Sequence, residues 1–174
     1  MKVTMIMLQT INGMISLGDE DDLSWGGRAD KKHFSQLSKE IGTIIMGSST
    51  FDALGGKPLP KRGNIVMSRN VGKYNHLQAD NLEFTNEEPK QLLDRLSTEG
   101  LEQVAVTGGG KINALFLKED LIDTISLTIA PKLFTSDISL VDKSIAGKLD
   151  INLELEELIY LDEHTINLNY KVVK

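Results

Sequence analysis

Val104-Ala105-Val106-Thr107-Gly108-Gly109-Gly110-Lys111-Ile112-Asn113-Ala114-Leu115-Phe116-Leu117 is the stretch that decides the fold. A short apolar run ends in three glycines and passes at once into a helical pattern. Glycine has no Cβ, so another molecule can approach its backbone closely. The helix start beyond it offers unpaired N–H groups and a partial positive charge. Strand, glycine turn and helix start together form a seat for a phosphate. A plain tight turn fits the same residues, and one glycine motif alone does not separate the two readings.

A second site of the same design lies upstream, in Ile44-Ile45-Met46-Gly47-Ser48-Ser49-Thr50-Phe51. Its hydroxyls can cap the helix or bind a phosphate, since both uses draw on the same orphan N–H groups. A third apolar run ends in Val66-Met67-Ser68-Arg69-Asn70. A hydroxyl beside a guanidinium fork suits a phosphate monoester. In open sheets, ligands sit outside the carboxyl ends of the strands. A dinucleotide with an extra 2′-phosphate would use all three exits, with its pyrophosphate at the two helix starts and the monoester at Ser68 and Arg69.

Around these exits, apolar runs alternate with helical patterns, which predicts an α/β fold with a largely parallel sheet. Strands are expected at 3–8, 43–46, 64–67, 82–84, 103–106 and 124–129. Most lack polar alternation, as strands covered on both faces do. Helices are expected at 30–41, 49–54, 89–97 and 111–118, with Pro89 at a first helical position and Gly100 after a helix end. Segments 152–161 and 165–173 read as a terminal antiparallel hairpin turning at Asp162-Glu163-His164. The second arm alternates strictly, so one of its faces stays wet or meets another subunit, and a homodimer is one possible reading.

The chain has 174 residues, a length that suits a single domain over 1–174 with a real core. A net charge of −6 argues against nucleic acid and against an anionic membrane as partner. There are no cysteines, which excludes disulfides, thiolate metal sites and cysteine nucleophiles. No apolar run reaches the ~20 residues that span a bilayer. The first residues read as a buried strand rather than a signal peptide, so a cytoplasmic protein is expected.

Chemistry on the substrate side points to Leu23-Ser24-Trp25-Gly26-Gly27-Arg28-Ala29-Asp30-Lys31-Lys32-His33-Phe34. Asp30, Phe34, Leu37 and Ile41 share the helical stripe that should face the core. A carboxylate heading that stripe would have a raised pKa and serve as proton donor or amidine anchor. It fits a helix cap equally well. Trp25, the only tryptophan, can wall a planar ligand or fill the core. The acidic run Asp19-Glu20-Asp21-Asp22 lacks the ligand spacing of a calcium loop and reads as solvated. His33, His76 and His164 show no metal-ligand spacing, and no metal site is expected.

In order and spacing the chain resembles the dihydrofolate reductase-like superfamily, and within it the pyrimidine reductases of riboflavin biosynthesis. The resemblance rests on Thr10-Ile11-Asn12-Gly13-Met14-Ile15, Ser24-Trp25 with Asp30 and Phe34, and the three exits above. It continues through Asp120-Leu121-Ile122-Asp123 and Leu127-Thr128-Ile129-Ala130-Pro131-Lys132-Leu133. It implies a mostly parallel, twisted central sheet with flanking helices and a C-terminal antiparallel hairpin, with NADPH as hydride donor. By the same resemblance, Gly47, Ser48, Ser49, Thr50, Ser68 and Arg69 hold the adenosine end. Gly109, Gly110, Lys111 and Ile112 hold the pyrophosphate, and Thr107 and Gly108 lie near the nicotinamide. Thr10, Asn12 and Gly13 belong to the cofactor side, where the loop on to Trp25 closes over the reaction. Asp30 and Thr128 face the substrate ring, with Trp25, Arg28 and Phe34 beside it.

Trp25 with Asp30, and Lys57-Pro58-Leu59-Pro60, are similar to folate reductases. Arg28 stands where those carry a proline. Gly110–Leu117, Leu121–Leu133 and Asn12-Gly13 are similar to the riboflavin branch. A fused zinc deaminase needs cysteine ligands, which this chain lacks. The expected activity is therefore reduction of a heteroaromatic small molecule, with a ribosylaminopyrimidine phosphate favoured and Arg28, Lys31 and Lys32 meeting its phosphate. Dihydrofolate is the alternative, and a nucleotide-binding module without catalysis is the reading from another class.

Overall fold

The computed structural model describes residues 1–18, 21 and 23–174. In chain order these form β1 (Lys2–Thr10), α1 (Gly27–Ile41), β2 (Thr43–Gly47), α2 (Ser48–Ala53), β3 (Gly63–Met67) and β4 (Leu82–Thr85). They continue with α3 (Pro89–Thr98), β5 (Gln103–Val106), α4 (Gly110–Lys118), β6 (Thr124–Ala130), α5 (Lys143–Ala146), β7 (Leu153–Tyr160) and β8 (Ile166–Val172). All eight strands join one sheet in the order β4-β3-β2-β5-β1-β6-β8-β7. The first six run parallel, and β8 pairs antiparallel with both β6 and β7. The α/β class and the terminal antiparallel hairpin are both present.

Strand pleating divides the core. Along β1 and β2, Val3, Met5, Met7 and Ile45 point to one side, where Leu92, Leu93 and Leu96 of α3 and Phe116 and Leu117 of α4 cover them. Ile6, Ile44 and Met46 point to the other side, against Phe51 and against Phe34, Leu37 and Ile41 of α1. Both faces are dry, which explains the unbroken apolar runs. Polar side chains also enter the interior, as at Asn64 of β3, and they cluster where β6 meets β8. There Ser126 and Thr128 of β6 and Asn167 of β8 share a face, and all three are buried.

Helix α1 begins at Gly27, three residues before the expected start, with Gly26 rather than Asp30 at its N-cap. Gly26 is tight for another reason: a Cβ there would sit 2.3 Å from Leu8 Cδ2. The segment from 131 to 142 runs as a strap across the sheet's carboxyl edge. Backbone N–H groups of Ile11, Ile15 and Asp142 donate to Lys132, Ile138 and Gly110, and Leu140 N–H donates to Gly13.

The reading of the acidic run as a solvated loop falls on Asp19, Glu20 and Asp22, outside the described residues. Asp21 itself departs from it. It is buried and accepts hydrogen bonds from the backbone of Leu17 and Leu23 and from Trp25 Nε1, at 2.8, 2.8 and 3.0 Å. Burial raises its pKa, but these bonds outweigh that and hold it below the usual carboxyl value.

Candidate active site

The exits of β3, β2 and β5 are consecutive in the sheet. Gly47 N–H donates to the Gly108 carbonyl at 2.8 Å and Thr107 N–H to Ile45 at 2.8 Å, so the two glycine turns are tied to each other. Helices α2 and α4 start at Ser48 and Gly110, and neither N-terminus is capped by a side chain. The hydroxyls of Ser48, Ser49 and Thr50 therefore do not consume the orphan N–H groups beside them.

The three glycines divide by role. Gly108 has φ +91°, and a Cβ would sit 3.0 Å from Met7 Sδ. At Gly110 a Cβ would lie 2.4 Å from the Ser139 carbonyl oxygen. Both are small because the chain's own atoms press on them. Gly109 differs: its Cβ would meet only Thr50 Oγ1, at 3.4 Å, in the space between the two helix starts. That space fits an anionic group lying between uncapped helix ends. Asn113, fully buried on α4, donates from Nδ2 to the Leu140 carbonyl at 2.8 Å, while its Oδ1 is the one buried side-chain atom without a partner among the described residues. Lys111 is exposed, and Ile112 packs against Gly47, whose Cβ would reach its Cγ1 at 2.9 Å.

At the next exit, Ser68 is half-buried and Arg69 is exposed with no ion pair among the described residues. After β1, Thr10 is buried. Its hydroxyl donates to Asn12 Oδ1 at 2.7 Å and accepts from Met14 N–H at 3.0 Å. Asn12 Nδ2 reaches the Phe134 carbonyl at 2.9 Å, and Gly13 turns with φ +83°. These three residues close a tight turn and fasten it to the strap.

On the substrate side, Asp30 sits in the first turn of α1 and makes no cap hydrogen bond. It faces Thr128 of β6, whose hydroxyl favours its charged form. Burial raises its pKa, against the lowering effects of Thr128, His33 and Lys31. Asn167 Nδ2 donates to Thr128 Oγ1 at 3.1 Å from the far side. Phe34 lies one turn along α1 and joins the core. Trp25 is half-buried. Its ring meets Phe134 edge-on with centroids 5.2 Å apart, and its indole N–H is held by Asp21. Arg28, Lys31 and Lys32 are exposed on the first turns of α1.

Sequence reading missed Arg62. It is 6% exposed, donates from Nε to the Pro60 carbonyl at 3.1 Å and also to Ser38 Oγ, and has no carboxylate partner among the described residues. Ser38 stands two turns beyond Asp30 on the same stripe, about 12 Å along the axis at 1.5 Å per residue. The pattern Pro60-Lys61-Arg62-Gly63 gave no hint that this arginine alone turns inward.

A parallel sheet whose neighbouring carboxyl ends carry uncapped helix starts, with a half-buried acid across β1 from them, is an open α/β arrangement of the kind that seats a dinucleotide. The dihydrofolate reductase family model matches residues 2–144. The bifunctional dihydrofolate reductase-thymidylate synthase of Paramecium tetraurelia is 33% identical over 107 residues, which is 56% of this chain and 22% of that protein's length. A putative riboflavin biosynthesis protein from Shewanella sp. PV-4 superposes with a TM-score of 0.83 at 19% identity, covering 100% of both chains. The dihydrofolate reductase of Enterococcus faecalis complexed with NADP(H) gives 0.70 at 19% identity, covering 99% of this chain and 97% of that one. The chain belongs to the dihydrofolate reductase family, whose members are NADPH-dependent oxidoreductases. Among the described residues, no helix is long and apolar enough to cross a membrane.

Proposed function

We propose that this protein is a cytoplasmic NADPH-dependent reductase of a pyrimidine-ring metabolite with an anionic tail, with dihydrofolate as the first candidate. The observation that carries the reading is Asp30: a carboxyl sunk against β6, its Thr128 partner neutral, its pKa raised by burial. Such a group pairs with the N–C–NH2 edge of a 2-aminopyrimidine ring and holds a proton beside it.

NADPH supplies the hydride. In this reading Ser68 and Arg69 hold its 2′-phosphate, while Gly47, Ser48, Ser49 and Thr50 and the turn from Gly109 to Ile112 hold its pyrophosphate. Thr107 and Gly108 flank the nicotinamide. Thr10, Asn12 and Gly13, fastened to the strap, close the cofactor side of the cleft. Trp25 and Phe34 wall the ring, Asp30 anchors it and governs the proton, and Thr128 orients Asp30. The protein's contribution is near-attack geometry and placed charge. Arg62, a buried cation without a carboxylate partner among the described residues, suits the tail of a ligand laid along α1 from Asp30 to Ser38.

A ribosylaminopyrimidine phosphate is the second reading, supported by the exposed cations Arg28, Lys31 and Lys32 on the turns that carry Asp30. Parallel assays with NADPH, followed at the nicotinamide absorbance, separate the two. Turnover of dihydrofolate alone supports the first, turnover of the phosphate alone the second, and NADPH binding without any turnover returns the fold to a binding module.

Assembly belongs to the same reading. Edge strand β7 exposes Leu155, Leu158 and Tyr160. A homodimer formed through this hairpin sediments as twice the chain mass at micromolar concentration, and a monomer there removes this part.

A further inference from the structure

Behind Asp30 lies a line of polar side chains joined by hydrogen bonds. Asn167 is fully buried at the centre of it, on β8 directly opposite Thr128 in register. Ser126 Oγ donates to Asn167 Oδ1 at 3.1 Å. Asn167 Nδ2 donates to Thr128 Oγ1 at 3.1 Å. Thr128 in turn faces Asp30, where its hydroxyl favours the charged carboxylate. At the outer end His33 Nε2 lies 3.3 Å from Ser126 Oγ.

Each hydroxyl has a single hydrogen. Thr128 receives one from Asn167, so its own is free for Asp30, which when ionised can only accept. Ser126 spends its hydrogen on Asn167, so it accepts from His33, which must carry its hydrogen on Nε2. Turning the Asn167 amide over would draw the Thr128 hydrogen onto Asn167 and away from Asp30. An amide passes no proton along such a line, so the chain orients and does not relay.

We propose that Asn167 is a positioning residue for Asp30: it turns the Thr128 hydroxyl hydrogen onto the carboxylate, and Ser126 fixes the amide that does so. The assignment rests on the reading of Asp30 as the substrate-side acid. Charged groups facing Asp30 are His33 and Lys31, both on its own helix. Among the described residues, the packed strands offer only neutral groups there: Leu8 of β1 reaches the same wall at Gly26, and Thr128 comes from β6.

The test is a carboxyl carbon NMR titration of Asp30 in the protein without substrate, with the signal assigned by its loss in Asp30→Asn. Thr128→Val moves the Asp30 midpoint upward because it removes the hydroxyl that favours the charged form, and Asn167→Leu moves it upward because the Thr128 hydrogen is no longer directed to the carboxylate. In the Thr128→Val background, Asn167→Leu moves it no further, since its route is gone. Ser126→Ala, which removes one hydroxyl from the strand, also moves the midpoint upward. It carries the test where Asn167→Leu does not fold. An unmoved midpoint in the folded variant, or a further shift in the double variant, overturns the proposal. If the shifts appear and neither candidate substrate turns over, the positioning role stands and the proposed function falls. Turnover with an unmoved midpoint reverses that outcome.

Discussion

Gly47 donates its backbone N–H to the carbonyl of Gly108 at 2.8 Å, which joins the exits of β2 and β5 into one surface. Two helix starts separated by about sixty residues of chain thus face a common space.

Gly109→Ala and Gly110→Ala separate ligand contact from packing. At Gly110 the added carbon meets the Ser139 carbonyl at 2.4 Å, and the strap must shift. Overpacking of this kind costs about 1–3 kcal/mol, read as a lower melting temperature. At Gly109 it meets only Thr50 Oγ1, at 3.4 Å. Gly109→Ala folds with nearly unchanged stability and loses NADPH affinity in calorimetry. Unchanged affinity places the pyrophosphate elsewhere.

Arg69→Ala narrows the preference for NADPH over NADH. A charge-assisted bond to phosphate contributes about 1.5–3 kcal/mol, on the order of 10- to 100-fold in the affinity ratio. Parallel titrations with both cofactors measure it, and an unaltered ratio excludes Arg69 from the 2′-phosphate.

Asp30→Asn lowers kcat by at least about 100-fold and leaves NADPH affinity nearly intact, the range expected for loss of an acid–base group. Equal turnover in the two proteins removes Asp30 from the chemistry.

The same substitution has a stability signature. The folded protein holds a proton on Asp30 more tightly than the unfolded chain does, since burial raises the pKa from 3.8. Stability therefore falls as pH rises from 3.8 to the raised value and stays lower above it. Asp30→Asn melts higher than wild type at pH 7, and the gap narrows as pH falls toward 3.8. A gap independent of pH contradicts this. Asp21 has the opposite sign: its lowered pKa adds stability that is lost as pH falls through the acid range.

Asp21→Ala frees the Trp25 indole N–H and two backbone donors. Loss of hydrogen bonds to a charged group costs about 1–3 kcal/mol, and the Trp25 emission shifts to longer wavelength. Unchanged emission shows that Phe134 alone holds the ring.

Much of this was readable in linear order because it is local. Gln103–Val106 is β5 to the residue, since four apolar-flanked positions ending at a glycine turn have few alternatives. The start of α1 was not, because Gly26 and Gly27 argue against helix by propensity, while packing against Leu8 selects Gly26 and a φ of +76° selects Gly27. Asp21 looked solvated among acidic neighbours, yet its partners lie two and four residues away, a pairing that composition does not reveal. The polar line through Asn167 depends on the pairing of β8 with β6, some forty residues apart, and alternation along β8 shows only that one face is polar. Arg62 was hidden for a similar reason: its environment is built by Ser38 of α1.

The strap from 131 to 142 is pinned at Ile11, Gly13, Ile15 and Gly110, with Asn113 holding Leu140 in between. It has no slack. Inserting even one residue there would throw the fastening out of step. Natural variants of this chain should therefore keep the strap's residue count constant even where its sequence drifts.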